Sequence, residues 1–320
     1  MRPLVIGVVL LTGMVAPAAV PVRVPALPAL SALSASPATL SVRIGDQWIE
    51  WWRSDQAPAR WNAADARVMS GIAWHAQGGP LEWGQLQLSG AGEAWRIRGI
   101  VVRLDPSRFR FRLATALSHG ATQPEWSVDS AGRLAQLAFN AGQFAGAAPW
   151  GWVVHKGREI RPRGRGPLAQ TVAFDSLGHI SFFDDSATAG AEAGGAIYEA
   201  FQTYPALLVG DGAIPPAFGV PQPLLDLDHR DSRLAIGLTR DNRLLLLLTR
   251  FDGLGGQLDG IPFGLTVGET AALMGALGCR SAVALDGGIS GQLLVRTADS
   301  SAVWRAWRKV PLGLIAEPRP

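Results

Sequence analysis

Asp286 and Asp211 each follow an apolar run and open an Asp-Gly pair, in VALDGGISGQL (283–293) and PALLVGDGAI (205–214). A carboxylate delivered to a strand end can take a proton from water or face a developing cation. Asp-Gly is also a common hairpin turn, so the pattern alone leaves a structural role open for both residues. Gly287 and Gly288 would let backbone approach a ligand closely. Asn140, followed in AFNAGQF by Gly142, can donate to a hydroxyl or an anionic oxygen, or simply fix its own turn. None of His75, His119, His155, His179 and His229 pairs with another at metal-ligand spacing, and Cys279 is the only cysteine. No metal site, no cofactor and no intramolecular disulfide is expected. Ser290 lies outside a G-x-S-x-G elbow, which argues against a serine nucleophile.

The elements that would position these groups are mostly strands. Arg233–Thr239 and Arg243–Arg250 read as two strands joined by Asp241 and Asn242, residues that tolerate a tight hairpin. Thr266 and Glu269 have capping-box spacing before a helix at 267–277, and Gly278 stands where that helix should stop. A glutamate in a capping box needs no substrate to explain it. Ser281–Leu285 is the short strand that ends at Asp286. Further alternating runs from Leu81 onward add strands, and a second, shorter helix is placed at 193–202. The expectation is one α+β domain of strand-rich mixed sheets with a few helices.

The chain has 320 residues, 48% of them hydrophobic and 17% charged, which suits a large folded core. Residues 1–20 combine a charged start, an apolar stretch and a small-residue pattern at Ala16–Ala18, as in an export signal. Its apolar run is short for a spanning helix, so membrane attachment is expected only if this segment stays uncleaved. Residues 21–40 read as a Pro/Ala-rich linker, 41–80 as a Trp-rich extension packing on the main domain, and 81–320 as that domain. The net charge is +3, with Lys156 and Lys309 the only lysines. The basic stretch from His155 to Arg165 is turn-rich and short, and nucleic acid is not an expected partner. Trp150 and Trp152, just after the Asn140 segment, are candidate sugar platforms, with core packing the alternative.

In their order, AFNAGQF, PALLVGDGAI, SRLAIGLTRDNRLLLL, GLTVGETAALMGALGC and VALDGGISGQL resemble the phosphodiester glycosidase family. The resemblance implies a hydrolase that cleaves a sugar-1-phosphodiester, here in a surface glycan or exopolysaccharide; the export-signal pattern of residues 1–20 adds the expectation of a periplasmic or secreted protein. It implies Asp286 as the principal carboxylate, with Asp211 and Glu269 as further acids. Asn140, Gly142, Arg233, Gly287, Gly288, Ser290 and Trp152 would line the substrate, Arg233 gripping phosphate unless Asp231 or Asp228 claims it. The chain departs from the family pattern at LDGGISG, where Ile289 replaces a glycine, and at NAGQF. The alternative is a non-catalytic glycan-binding or exopolysaccharide-assembly protein on the same scaffold.

Overall fold

The structure is a computed structural model that describes residues 36–115, 125–194, 197–222, 225–253, 261 and 263–319. The export-signal segment 1–20 and most of the linker 21–40 lie outside the described residues. In chain order, β1 (Thr39–Ile44) and β2 (Gln47–Arg53) form a hairpin, followed by α1 (Ala66–Ser70), β3 (Ala73–Ala76), β4 (Leu81–Gly90) and β5 (Ile97–Leu104). Next come β6 (Phe109–Thr115), β7 (Leu137–Asn140) and the small ribbon β8 (Phe144–Ala145) and β9 (Ala148–Pro149). β10 (Val153–His155), β11 (Arg158–Arg161), β12 (Gln170–Phe174) and β13 (Ile180–Asp184) lead through α2 (Asp185–Gly194) to β14 (Glu199–Thr203) and β15 (Ala206–Leu208). The last part holds β16 (Leu234–Thr239), β17 (Leu244–Phe251), α3 (Val267–Ala276), β18 (Cys279–Leu285), β19 (Leu293–Arg296), β20 (Ser301–Trp304) and β21 (Leu312–Pro318).

These strands form a nine-stranded sheet in the order β15-β18-β16-β17-β5-β4-β1-β2, with β3 on β4. Two five-stranded sheets, β11-β10-β14-β12-β13 and β20-β19-β7-β21-β6, complete the fold with the β8-β9 ribbon. The ladders are antiparallel throughout the described residues. The leucine run of β17 explains the layering. Leu245 and Leu247 enter the core beneath α3, whereas Leu244, Leu246 and Leu248 enter a second core shared with β6, β7, β12 and β21. A strand covered on both faces reads as an unbroken apolar run.

The Trp-rich segment is woven into this sheet through β1, β2 and β3. Trp51 is buried, and Trp61 packs on α3 so closely that a Cβ on Gly275 would sit 2.2 Å from its ring. The hairpin turn is as expected, with Asn242 at φ 60, and α3 carries the complete capping box before Gly278 at φ 92. The expected helix at 193–202 is corrected: α2 ends at Gly194, and Glu199–Thr203 is a fully buried central strand between β10 and β12. Its polar residues are buried with partners, Glu199 meeting His155 at 2.9 Å. No helix among the described residues is long and apolar enough to cross a membrane.

Candidate active site

The β16–β18 ladder pairs Leu234 with Leu285. Continued by register, it sets the residues just before β16 against those just after β18, bringing Ser232 to Gly287 and Asp231 to Gly288. The loop obeys this. Gly288 N–H donates to the Ser232 carbonyl at 2.8 Å, and a Cβ on Gly287 would lie 2.2 Å from that same oxygen. A Cβ on Gly288, at φ 52, would lie 2.7 Å from Oδ2 of Asp231. Both glycines are therefore obligatory: the Ser232 carbonyl occupies the space a side chain at 287 would need, and the Asp231 carboxylate the space at 288.

Asp286 is held from three sides. Its backbone N–H donates to the Gly142 carbonyl at 2.9 Å, and the Asn140 amide donates to its carbonyl at 2.8 Å. Nη2 of Arg308 donates to its carboxylate at 3.0 Å, while Nε of Arg308 donates to the buried Ser290 hydroxyl at 2.7 Å. Burial raises the Asp286 carboxyl above the usual range, against the opposing pull of the Ser290 hydroxyl and the Arg308 charge. Asp231 is raised by burial too; Arg233, the Ser232 amide and His229 oppose this, and the negative charge of Asp286 adds to it. Two mutually repelling carboxylates thus share one loop junction. Among the described residues Oδ1 of Asp231 accepts the Ser232 N–H at 2.7 Å and Oδ2 accepts no hydrogen bond.

The loop is braced from below by Arg250, a buried residue on β17 that donates to the carbonyls of Gly288 and Gly291. Beside the carboxylates, Tyr204 feels the charge of Asp286 and meets Trp150 edge-on at 4.6 Å. These two rings, with Leu168, Pro167 and Arg165, line a cavity of about 370 Å³. Larger cavities lie elsewhere on the molecule, but this one is lined by Tyr204, on which the charge of Asp286 acts.

The other expected site residues fall into place around this centre or away from it. Asn140 is fully buried, and its Oδ1 accepts the Gln292 N–H at 3.0 Å, so both ends of the amide hold the loop. Arg233 spends its Nε and one terminal nitrogen on the Leu265 and His229 carbonyls. Glu269 is buried in a bidentate pair with Arg230 at 2.6 and 2.8 Å and closes the capping box, which occupies both its oxygens. Asp211 does not join the centre. Its neighbour Gly212 bonds to Arg280 at the start of β18, while Asp286 follows the strand's end, about 20 Å away at the usual rise per residue. There it is 64% exposed and paired with Arg240 at 2.6 Å. Trp152 is buried and gives its indole N–H to Glu159 at 2.8 Å, so the ring facing the cavity is Trp150. Ile289 does not plug the loop; it is 43% exposed.

Asp231, Arg308 and Tyr204 were not read as site residues from the sequence. Only the pairing of β16 with β18, visible once both strands are assigned, signals Asp231 in advance. Arg230→Ala should destabilise the protein by about 3 kcal/mol, because the buried Glu269 loses its counter-charge. Chemical denaturation of the variant checks this, and Asp211→Ala, at an exposed pair, should fall within about 1 kcal/mol of the parent.

A sequence profile described as phosphodiester glycosidase matches residues 134–316, more than half of the chain. Among solved structures, the zebrafish N-acetylglucosamine-1-phosphodiester alpha-N-acetylglucosaminidase catalytic domain, auto-inhibited by its pro-peptide, superposes with a TM-score of 0.58 at 17% identity. That match covers 80% of this chain and 87% of the other. A hypothetical protein from Synechocystis superposes with a TM-score of 0.54 at 15% identity, covering 88% of this chain and 68% of that one. Comparison with curated proteins returns no match.

Proposed function

The chain belongs to the phosphodiester glycosidase family, and on that premise we propose that it hydrolyses a sugar-1-phosphodiester in a surface glycan or exopolysaccharide. The observation that supports this most is the pair of half-buried carboxylates Asp231 and Asp286 at one loop junction, both raised above the usual range by desolvation, with Arg308 bonded to one of them. Asp286 has the Arg308 guanidinium bonded to its carboxylate, whereas the Asp231 carboxylate accepts only the Ser232 N–H among the described residues. On that difference Asp286 is assigned as the base that activates water and Asp231 as the proton donor.

In the proposed step the water oxygen bonds to the anomeric carbon as the bond from that carbon to the phosphate oxygen breaks. The electron pair leaves with the phosphate, and the water's proton passes to Asp286. A phosphomonoester leaves readily, so the proton from Asp231 is a modest aid, and charge neutralisation matters more. Arg308, 46% exposed, offers its remaining terminal nitrogen to the phosphate. Trp150 and Tyr204 form the apolar wall against which a sugar ring can rest. The N-terminal sequence supports export, with the protein periplasmic or secreted.

The test is release of N-acetylglucosamine from a synthetic N-acetylglucosamine phosphodiester by the purified protein. Turnover that requires Asp286 supports the reading. Saturable binding with no release across a panel of sugar phosphodiesters would instead favour a glycan-binding protein on the same scaffold.

A further inference from the structure

A second constellation lies on the large sheet, outside the carboxylate centre. Alternation along β4 sends Leu86 and Leu88 into the core under α3 and leaves Gln85 and Gln87 half-buried on the opposite face. Gln87 pairs across the ladder with Arg98 of β5, and Arg43 of β1 donates to Gln87 Oε1 at 3.1 Å. Arg98 in turn bonds to Asp252, just beyond β17, at 2.5 Å. A polar row thus crosses four neighbouring strands, a span of about 14 Å.

This row floors two adjoining cavities, of about 700 and 360 Å³, which share Arg43, Gln87 and Asp252. The smaller one is also lined by Trp48 and Trp95, which are 48% and 51% exposed. Trp95 is not a loose surface ring. Phe251 meets it edge-on at 5.6 Å, and the Arg96 guanidinium lies 5.5 Å from its centre.

We propose that this groove binds a polysaccharide chain, whose pyranose rings stack on Trp48 and Trp95 while its hydroxyls bond to Arg43, Gln87, Arg98 and Asp252. The chemistry selects this occupant. Two half-exposed indoles offer flat apolar faces suited to the C–H face of a hexose. The floor mixes donors and acceptors, as vicinal hydroxyls require, and an apolar peptide or lipid would strip water from those charges without replacing it. A polyanion would meet the carboxylate of Asp252, and Arg98 is already neutralised by it. The inference stands apart from the catalytic reading, yet the two sites are connected: Arg250, which braces the Gly288–Gly291 loop, is the ladder partner of Arg98. A polymer in the groove would lie on the same sheet face that supports the catalytic loop.

The experiment is native affinity electrophoresis of the full chain in gels containing dextran, mixed-linkage β-glucan, glycol chitin or, as a polyanion control, dextran sulfate. At least one of the three uncharged polymers should retard the protein. Trp48→Ala and Trp95→Ala should each weaken that retardation about fivefold or more, and Leu134→Ala, which removes another exposed apolar side chain, should not. Melting curves of the variants confirm folding, and hydrolysis of a small sugar phosphodiester should be unchanged in both tryptophan variants. Retardation by dextran sulfate alone, or retardation by an uncharged polymer that survives the Trp48→Ala/Trp95→Ala double change, would overturn the proposal. So would the absence of any retardation.

Discussion

Asp286→Asn should reduce sugar release about 10³-fold, the magnitude expected when a positioned base is lost, while leaving the fold intact. The substitution keeps the side chain's shape, and the bonds from Asn140 and to Gly142 involve only the backbone of residue 286. Arg308 loses a partner but is exposed enough to be solvated. The pH profile supplies an independent readout. Since burial raises the Asp286 carboxyl, the parent's rate should fall on acidification at a pH above the ordinary carboxylate range of about 4. That acid limb should be missing from the residual activity of the variant. Parent-like turnover by Asp286→Asn would remove this residue from the mechanism.

Asp231→Asn should lower activity about 10²-fold and at the same time raise the melting temperature at neutral pH, by on the order of 2 °C. The sign follows from linkage. A carboxyl whose folded-state pKa is raised favours the folded state when protonated, and that contribution is lost as pH rises through the raised value. At neutral pH any ionisation of this half-buried carboxyl beside the charge of Asp286 costs the parent stability. Asparagine removes the charge, still fits beside Gly288, and can accept the Ser232 N–H through its own Oδ1. The stability gain should therefore shrink as pH falls through the raised value and vanish below about 4, where the parent carboxyl is protonated in both states. Calorimetry across that range decides the matter, and a variant less stable than the parent at neutral pH would show that Asp231 serves the fold. A substitution that stabilises while it inactivates is what a strained functional group predicts.

The two results together would separate roles that the sequence cannot separate. Asp286 and Asp211 look alike in the chain, each an Asp-Gly pair after an apolar run. Their fates differ because β18 is antiparallel to β15 as well as to β16, so the turn after β15 returns to the beginning of β18. One aspartate lands at an exposed turn with Arg240, and the other at the junction where β16 begins.

Local chemistry was legible at several points. The Asp241-Asn242 turn, the Thr266/Glu269 capping box, the stop at Gly278 and the strand into Asp286 depend on neighbours within a few positions, and each forms as read. The helix expected at 193–202 did not form, because the flanking strands β10 and β12 claim the backbone of Glu199–Thr203. Glu269 shows the same division: its cap was readable, but its counter-ion Arg230 was not.

By itself, then, the sequence determined the strand-rich plan, the family and the loop bearing Asp286, since these are written in short-range pattern. The tertiary structure alone decided that Asp231 and Arg308 flank that acid, that Asn140 bonds to the backbone of its loop, and that Trp150 rather than Trp152 lines the cavity. Such facts depend on ladder register and on which face of a strand is covered, and both are fixed by contacts between residues far apart in the chain.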